Sequence, residues 1–343
     1  MDGGRAGDLT LGGALNLWLE DRAREVRPQT LRVYRDTTRW LIPLVGAVRL
    51  EDAQRPARIR RILEEVELKR GCGAYSFARS ALSGAFGVAL AHGLCDGNPV
   101  RLLRRQSRVK ASATSLPPEQ VEIVRRCVPA RAIRTERYVA SSAFLLGCVM
   151  DVMLGSGVRI NEALALRCMD VDWRHSTIAV TGTLVDTSSH RVLRQDLLKG
   201  SSQARVIHLP QFAIRALHDA RQRVPDEGAL TPVSPAIQGR VVGAWCHARN
   251  IRRSLRSLRE DRELVAALAL TGLVRSDLTP HVFRRTAATL VAVSSGEIGA
   301  AQRLLGHTDP RTTIRHYVGV AFRRVDSADA LERLLGYGRI DDC

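Results

Sequence analysis

Between Asn98-Pro99 and Pro117-Pro118 the chain reads NPVRLLRRQSRVKASATSLPP, and this stretch limits the fold more than any other. Each proline lacks a backbone N–H and restricts the residue before it, so regular structure is interrupted at both ends. Between them lie Arg101, Arg104, Arg105, Arg108 and Lys110, followed by small polar residues. Such a shift in composition marks a linker. The expected division is a helical domain over residues 1–106, a basic linker over 107–118 and a second domain over 119–343 with a C-terminal tail. A chain of 343 residues is long enough for two cores. The linker reads either as a solvated tether or as a strap lying along a phosphate backbone.

Upstream of the break the patterning is helical. Leu11, Leu15, Trp18 and Leu19 recur at helical spacing. A second helix starts at Pro28, and ARIRRILEEVEL and YSFARSALSGAFGVALAHG supply two more, the last stopping at Gly93. Downstream, a helix begins at Glu119, and Ser141 to Arg167 is mostly helical apart from the break at Gly155-Ser156-Gly157. STIAVTGT and ARVIHLP alternate as strands do. LVDTSSHRVLRQDLLKGSSQ between them reads as a polar connection ending at Lys199-Gly200, and helices return from Gln211 onward. The fold class is mainly α, with a small antiparallel sheet in the second domain.

The chain carries 52 lysines and arginines against 35 acidic residues, a formal charge of +17. That excess repels itself unless a polyanion is the usual partner. Nucleic acid fits, because neutralised phosphates release their counterions. The rival, an anionic membrane surface, lacks a basic amphipathic anchor. No run of about 18 uncharged apolar residues spans a bilayer; the richest, Ala143 to Leu154, is short and contains Asp151. The opening residues lack the apolar core of a secretion signal. The 7 cysteines are scattered without a CxxC pair. Free thiols in a reducing compartment follow, and neither a disulfide framework nor a zinc site is expected. A cytoplasmic, nucleoid-associated protein without metal or cofactor is the expectation.

Several residues could do chemistry. Arg159 follows a glycine turn, in the first turn of the helix it opens, where free N–H groups already favour anions. Its planar fork matches a phosphate's oxygens. Glu162, one turn on, either orients Arg159 or forms an exposed pair of little worth. His281 and Arg284 are three apart and share one face of a helix opened by Pro280. His307 follows Leu305-Gly306, and Tyr317 stands ten positions later. Each alone reads as readily as an ordinary surface or packing residue, so the series carries the argument.

In order the chain reads Arg159 in GSGVRINEALAL, Lys199 in LLKGSSQARVIHLP, then HVFRRTAATL and LLGHTDPRTTIRHY. This resembles the tyrosine recombinases, the phage-integrase family that includes the Xer-type enzymes. The resemblance covers most of the chain, since LWLEDRAREVRPQTLRVYRDTTRWLIPLVG resembles the family's helical core-binding domain. It implies a C-shaped clamp on double-stranded DNA, with a SAM-like core-binding domain on one face and the catalytic domain on the other. It implies a site-specific recombinase that cuts and rejoins DNA through a 3′-phosphotyrosyl link, serving a mobile element or related recombination. Arg159 and Arg284 would clamp the scissile phosphate, His281 and His307 would donate hydrogen bonds, and Tyr317 would be the nucleophile. Lys199, on a β-hairpin turn, would be the general acid. Arg285 stands where many relatives have histidine, and HYVGV lacks a histidine two residues after the tyrosine; neither removes a catalytic group.

The resemblance further implies a homo-tetramer on paired sites, with a directionality factor as an added partner. The stretch before Leu11 is too short for the arm-binding domain of lambda-type integrases, which favours a two-domain enzyme. Arg101, Arg104, Arg105, Arg108 and Lys110 in the linker, and Arg249, Arg252 and Arg253 in CHARNIRRSLRSLR, are the expected DNA contacts. The competing readings are a type IB topoisomerase-like activity and a non-catalytic DNA-binding relative.

Overall fold

The computed structural model describes residues 9–104, 115–134, 137–187, 192–198, 203–223, 228–234, 244–269 and 275–307. These fall into two compact units, the first comprising residues 9–104 and the second beginning at residue 115.

The first unit is helical: α1 (Leu11–Glu25), α2 (Pro28–Val45), α3 (Leu50–Ala53), α4 (Pro56–Ala91) and α5 (Pro99–Leu102). Thr10 caps α1 by accepting the Gly13 N–H, and prolines open α2, α4 and α5 where no donor is needed. The two helices expected between residues 57 and 93 run together as α4 but part at Gly71, whose φ of 79° only glycine adopts readily. The core joins Leu11, Leu15 and Trp18 of α1, Leu41 of α2 and Ile59, Leu63, Leu82 and Phe86 of α4. Arg79 of α4 donates to the Leu103 carbonyl at 2.9 Å, which ties the end of α5 to α4.

The second unit contains α6 (Pro118–Arg134), α7 (Arg137–Ser156), α8 (Ile160–Ala163), β1 (Val171–Asp172), β2 (Thr177–Val180), β3 (Thr183–Asp186), β4 (Val192–Gln195), β5 (Arg205–His208), α9 (Gln211–Arg221), α10 (Ala248–Leu258), α11 (Arg262–Ala269), α12 (Pro280–Ser295) and α13 (Ile298–Leu305). Leu116, counted with the linker from sequence, is buried in this unit's core, and its N–H donates to the Thr286 hydroxyl of α12 at 2.9 Å.

Two small antiparallel sheets lie among the helices, in the orders β1-β2-β5 and β3-β4. The polar connection expected between the two strand segments therefore holds most of β3 and a further strand, β4. Its composition hides it, because Leu193 faces solvent at 53% exposure while the Arg194 side chain is 8% exposed. Arg194 donates to the Ala165 carbonyl at 2.9 Å and the Thr181 hydroxyl at 2.8 Å, and pairs with Asp170 and Asp196. Lys199, expected on a β-hairpin turn, lies outside the described residues.

Candidate active site

The site is assembled where α7, α8, β5, α12 and α13 end or begin. α7 closes at Ser156, and Gly157 turns the chain at a φ of 64°. Arg159 then stands as the N-cap residue of α8, one position before the helical turn in which the sequence reading put it. Glu162, the third residue of α8, reaches back to accept the Arg159 backbone N–H at 3.0 Å. The same carboxylate accepts from the Arg159 guanidinium at 2.7 Å. The Glu162 side chain is 1% exposed, which decides against an exposed, weak pair.

Two further guanidiniums meet that carboxylate. Arg205 of β5 donates to it at 3.0 Å, and Arg284 of α12 lies 3.9 Å away. Burial pushes the Glu162 pKa up, but the positive charges of Arg205, Arg159 and Arg284 and the Arg159 N–H outweigh that and hold it below the ordinary carboxylate value. One carboxylate amid three arginines leaves the cluster two positive charges in excess.

Arg284 is the largest fully buried side chain described. Its Nη1 donates to the Gly157 carbonyl at 2.6 Å, and its Nη2 donates to the Leu305 carbonyl at 3.0 Å and to His307 Nε2 at 3.0 Å. α13 ends in the left-handed Gly306, with a φ of 63°, and the His307 N–H returns to the Gln302 carbonyl at 3.2 Å. The Gln302 amide in turn donates to the His307 carbonyl at 3.0 Å. Arg284 thus binds the Gly157 turn that leads to Arg159 and the Gly306 turn that leads to His307. His281, the second residue of α12, is exposed and borders with Arg159 a cleft of about 760 Å³.

Four of the six expected catalytic residues therefore converge on one region. Lys199 and Tyr317 lie outside the described residues, as do Arg105, Arg108 and Lys110. Arg101 and Arg104 are exposed and flank a groove with Ser76, Arg79 and Ser80 of α4. On α10, Ile251, Leu255 and Leu258 face the core, while Arg249, Arg252 and Arg253 face solvent. The same helix supplies Arg252, and with it Arg256, to the cleft of Arg159 and His281. Sequence reasoning missed Arg205; Arg256 lies in the CHARNIRRSLRSLR segment that it offered for DNA contacts. Among the described residues no group of histidine, cysteine, aspartate or glutamate has a geometry that could hold a metal ion, and no helix is long and apolar enough to cross a membrane.

A family model described as "Phage integrase family" matches residues 131–324, more than half of the chain. The chain belongs to the phage integrase family. The tyrosine recombinase XerC of Rhizobium meliloti (strain 1021) is 28% identical over 326 residues, an alignment covering 92% of this chain and 89% of that protein. XerC of Xanthomonas axonopodis pv. citri (strain 306) is also 28% identical, over 84% of this chain and 86% of its own length. The integrase fold is evident against the Tn1549 transposon integrase solved with a circular intermediate DNA, with a TM-score of 0.71 at 18% identity over 95% of this chain and 100% of that one. Against the lambda integrase tetramer bound to a Holliday junction the TM-score is 0.62 at 17% identity, over 91% of this chain and 78% of that one. This integrase-family chain is a site-specific tyrosine recombinase, an enzyme that cleaves and rejoins DNA.

Proposed function

We propose that the arginine-histidine cluster binds a scissile phosphodiester and that Tyr317 attacks it, forming a 3′-phosphotyrosyl intermediate. The observation that carries this reading is the convergence of Arg159 and Arg284 on the buried Glu162, with His307 bonded to Arg284 and His281 bordering the cleft of Arg159.

The chemistry follows from charge. Rejoining DNA without an added energy source requires that the energy of the cleaved bond be kept in a covalent enzyme-phosphate. The Tyr317 oxygen forms a bond to phosphorus, and the bond from phosphorus to the 5′ oxygen breaks. Tyr317 loses its proton during attack, and Lys199 gives one to the departing 5′ oxygen. The non-bridging oxygens gain negative charge at that moment. Fixed cationic donors stabilise it, each by about 3–4 kcal/mol. Arg159, whose side chain is 28% exposed at the cleft, presents its fork to the phosphate, and Arg284 adds charge from the buried side. His281 and His307 supply hydrogen bonds. A 5′-hydroxyl of the partner strand then attacks the phosphotyrosyl phosphorus, and the Tyr317 phenol leaves with a proton.

The enzyme acts in the cytoplasm on the nucleoid, as a tetramer on two paired sites, in the movement of a mobile element or an equivalent rearrangement, with a directionality factor selecting the outcome. Arg101, Arg104, Arg105, Arg108 and Lys110 contact phosphates beside the first domain, and Arg249, Arg252 and Arg253 contact DNA beside the second.

The test is trapping on nicked suicide duplexes cut from genomic DNA, followed by sequencing of what is attached. Tyr317→Phe should bind duplex as the wild type does and form no adduct. Intact duplex binding with no adduct from the wild type would overturn the catalytic reading, and adducts on random fragments would overturn site specificity.

A further inference from the structure

We propose that Arg205 is a positioning residue that holds Arg159 and His307 in place relative to each other; this rests on the reading of the cluster as the strand-cleavage centre. Successive strand residues face opposite sides. On β5 the side with Ile207, which is 6% exposed, also carries Arg205, while Val206 faces solvent at 71% exposure. An arginine has therefore been turned inward and a valine outward. A buried guanidinium requires partners for its charge and its donors.

Those partners belong to both flanks of the site. Arg205 Nη2 donates to Glu162 Oε2 at 3.0 Å, and Glu162 holds the Arg159 guanidinium through its other oxygen at 2.7 Å. Arg205 Nε donates to the Leu304 carbonyl at 2.9 Å, in the last turn of α13. The guanidinium also lies against Gly306, where an added Cβ would come within 2.9 Å of Nη1 and 3.1 Å of Cδ. The Gln203 N–H donates to the Gly306 carbonyl at 3.4 Å, so residues 203–205 are joined to 304–306 at two points. His307 is the next residue. One side chain thus fixes the carboxylate that orients Arg159 and the turn that presents His307. A lysine keeps the charge but offers one nitrogen, which cannot span Glu162 and Leu304 in the planar geometry of a guanidinium.

The test compares the full-length wild type, Arg205→Lys and Gly306→Ala, the last disturbing the same contact from the glycine side. Duplex affinity should stay within about twofold, because phosphate contacts elsewhere dominate binding. Single-turnover adduct formation on a nicked duplex should fall roughly 10–100-fold in both variants, as expected when reacting groups are misplaced. In a His307→Ala background Arg205→Lys should cost clearly less than in the wild type, because only its hold on Arg159 through Glu162 remains to be lost and residues that act through one another are not additive. Independently of cleavage, the ring nitrogens of His307, read by ¹⁵N NMR, should lose the acceptor signature of Nε2 in both variants. Wild-type rates in the variants, full multiplication of the Arg205→Lys and His307→Ala effects, or an unchanged His307 spectrum would overturn the inference. A wild type that forms no adduct would overturn the proposed function instead, and the His307 spectrum alone would then decide the role of Arg205.

Discussion

Arg284 Nη2 donates to His307 Nε2 across 3.0 Å. A guanidinium has donors only, so the nitrogen facing it is an acceptor, and a neutral His307 ring carries its proton on Nδ1. The two residues are 23 positions apart, and the bond joins α12 to the turn after α13. The site is preorganised by this bond and by the two carbonyls that share the guanidinium.

Arg284→Lys is the direct test of that preorganisation. A lysine ammonium is a compact charge on a flexible stem and cannot reach the Gly157 carbonyl, the Leu305 carbonyl and His307 in the same fork geometry. Adduct formation on a nicked duplex should drop about 100- to 1000-fold. Gel-shift affinity should change little, since most binding energy comes from phosphate contacts elsewhere. An unchanged cleavage rate would show that the fork is dispensable.

Glu162 connects stability to pH. Its ordinary pKa of 4.5 is lowered in the folded chain, so its contribution to stability is fully present above that value and is lost as pH falls through the lower folded value. Glu162→Gln keeps an acceptor but removes the charge that three arginines share, and should destabilise the second unit by about 3 kcal/mol at neutral pH. Urea midpoints measured from neutral pH down through the acid range should fall for the wild type and flatten for Glu162→Gln over the Glu162 window. Parallel curves would exclude Glu162 as the source.

Much of this was legible in the sequence, for identifiable reasons. Helices with apolar stripes announce themselves by spacing, as in α1 and α10, and glycine turns such as Gly157 and Gly306 mark where the chain must reverse. Within the series, Arg159, His281 and His307 sit at such a turn or a helix start. β4 and Arg205 could not be read this way. In β4 an arginine points inward and an aliphatic residue outward, which inverts the pattern by which strands are recognised; β5 was legible as a strand, but not that Arg205 points inward. Arg205 makes sense only once Glu162 and Leu304, distant in the sequence, are seen beside it. Arg256 lies in a segment the sequence offered for DNA contacts, but its place at the Arg159 cleft depends on how α10 packs.

Gly84 tests the packing of the first unit. A Cβ there would fall 2.2 Å from the indole Nε1 of Trp18, itself only 3% exposed. Alanine is the better helix former by about 1 kcal/mol, so propensity alone predicts stabilisation. Overpacking costs about 1–3 kcal/mol and should reverse the sign. Thermal unfolding of Gly84→Ala should therefore begin at lower temperature than the wild type. A raised melting temperature would mean that α1 and α4 do not meet at Trp18.

Thiol reactivity should separate the cysteines by burial. Burial pushes the Cys246 thiol up to about 12. Burial likewise raises Cys148 to about 12, with the nearby charges of Asp219 and Asp151 adding to it. The thiolate is the reactive form, so neither should react near neutral pH. Cys72 is exposed on α4. Alkylation mapped by mass spectrometry should label Cys72 within minutes and Cys148 and Cys246 only after unfolding. Early labelling at Cys246 would contradict its place in the core.

The exposed arginines of α10 offer a quantitative test of how DNA is held. Arg252 and Arg256 border the cleft that contains Arg159 and His281, so a phosphate next to the scissile one lies within their field. Phosphate contacts carry no sequence information but release counterions, and each contributes close to one unit to the slope of log affinity against log salt. Arg252→Ala and Arg256→Ala should each lower that slope by about 1 and weaken specific and random duplexes alike. A base-reading arginine would behave differently, with a loss of about 1–3 kcal/mol confined to the specific duplex. Salt titrations on both duplexes distinguish the two. A selective loss in Arg252→Ala would reassign that side chain from the backbone to a base edge, and an unchanged slope in both variants would remove α10 from the DNA interface.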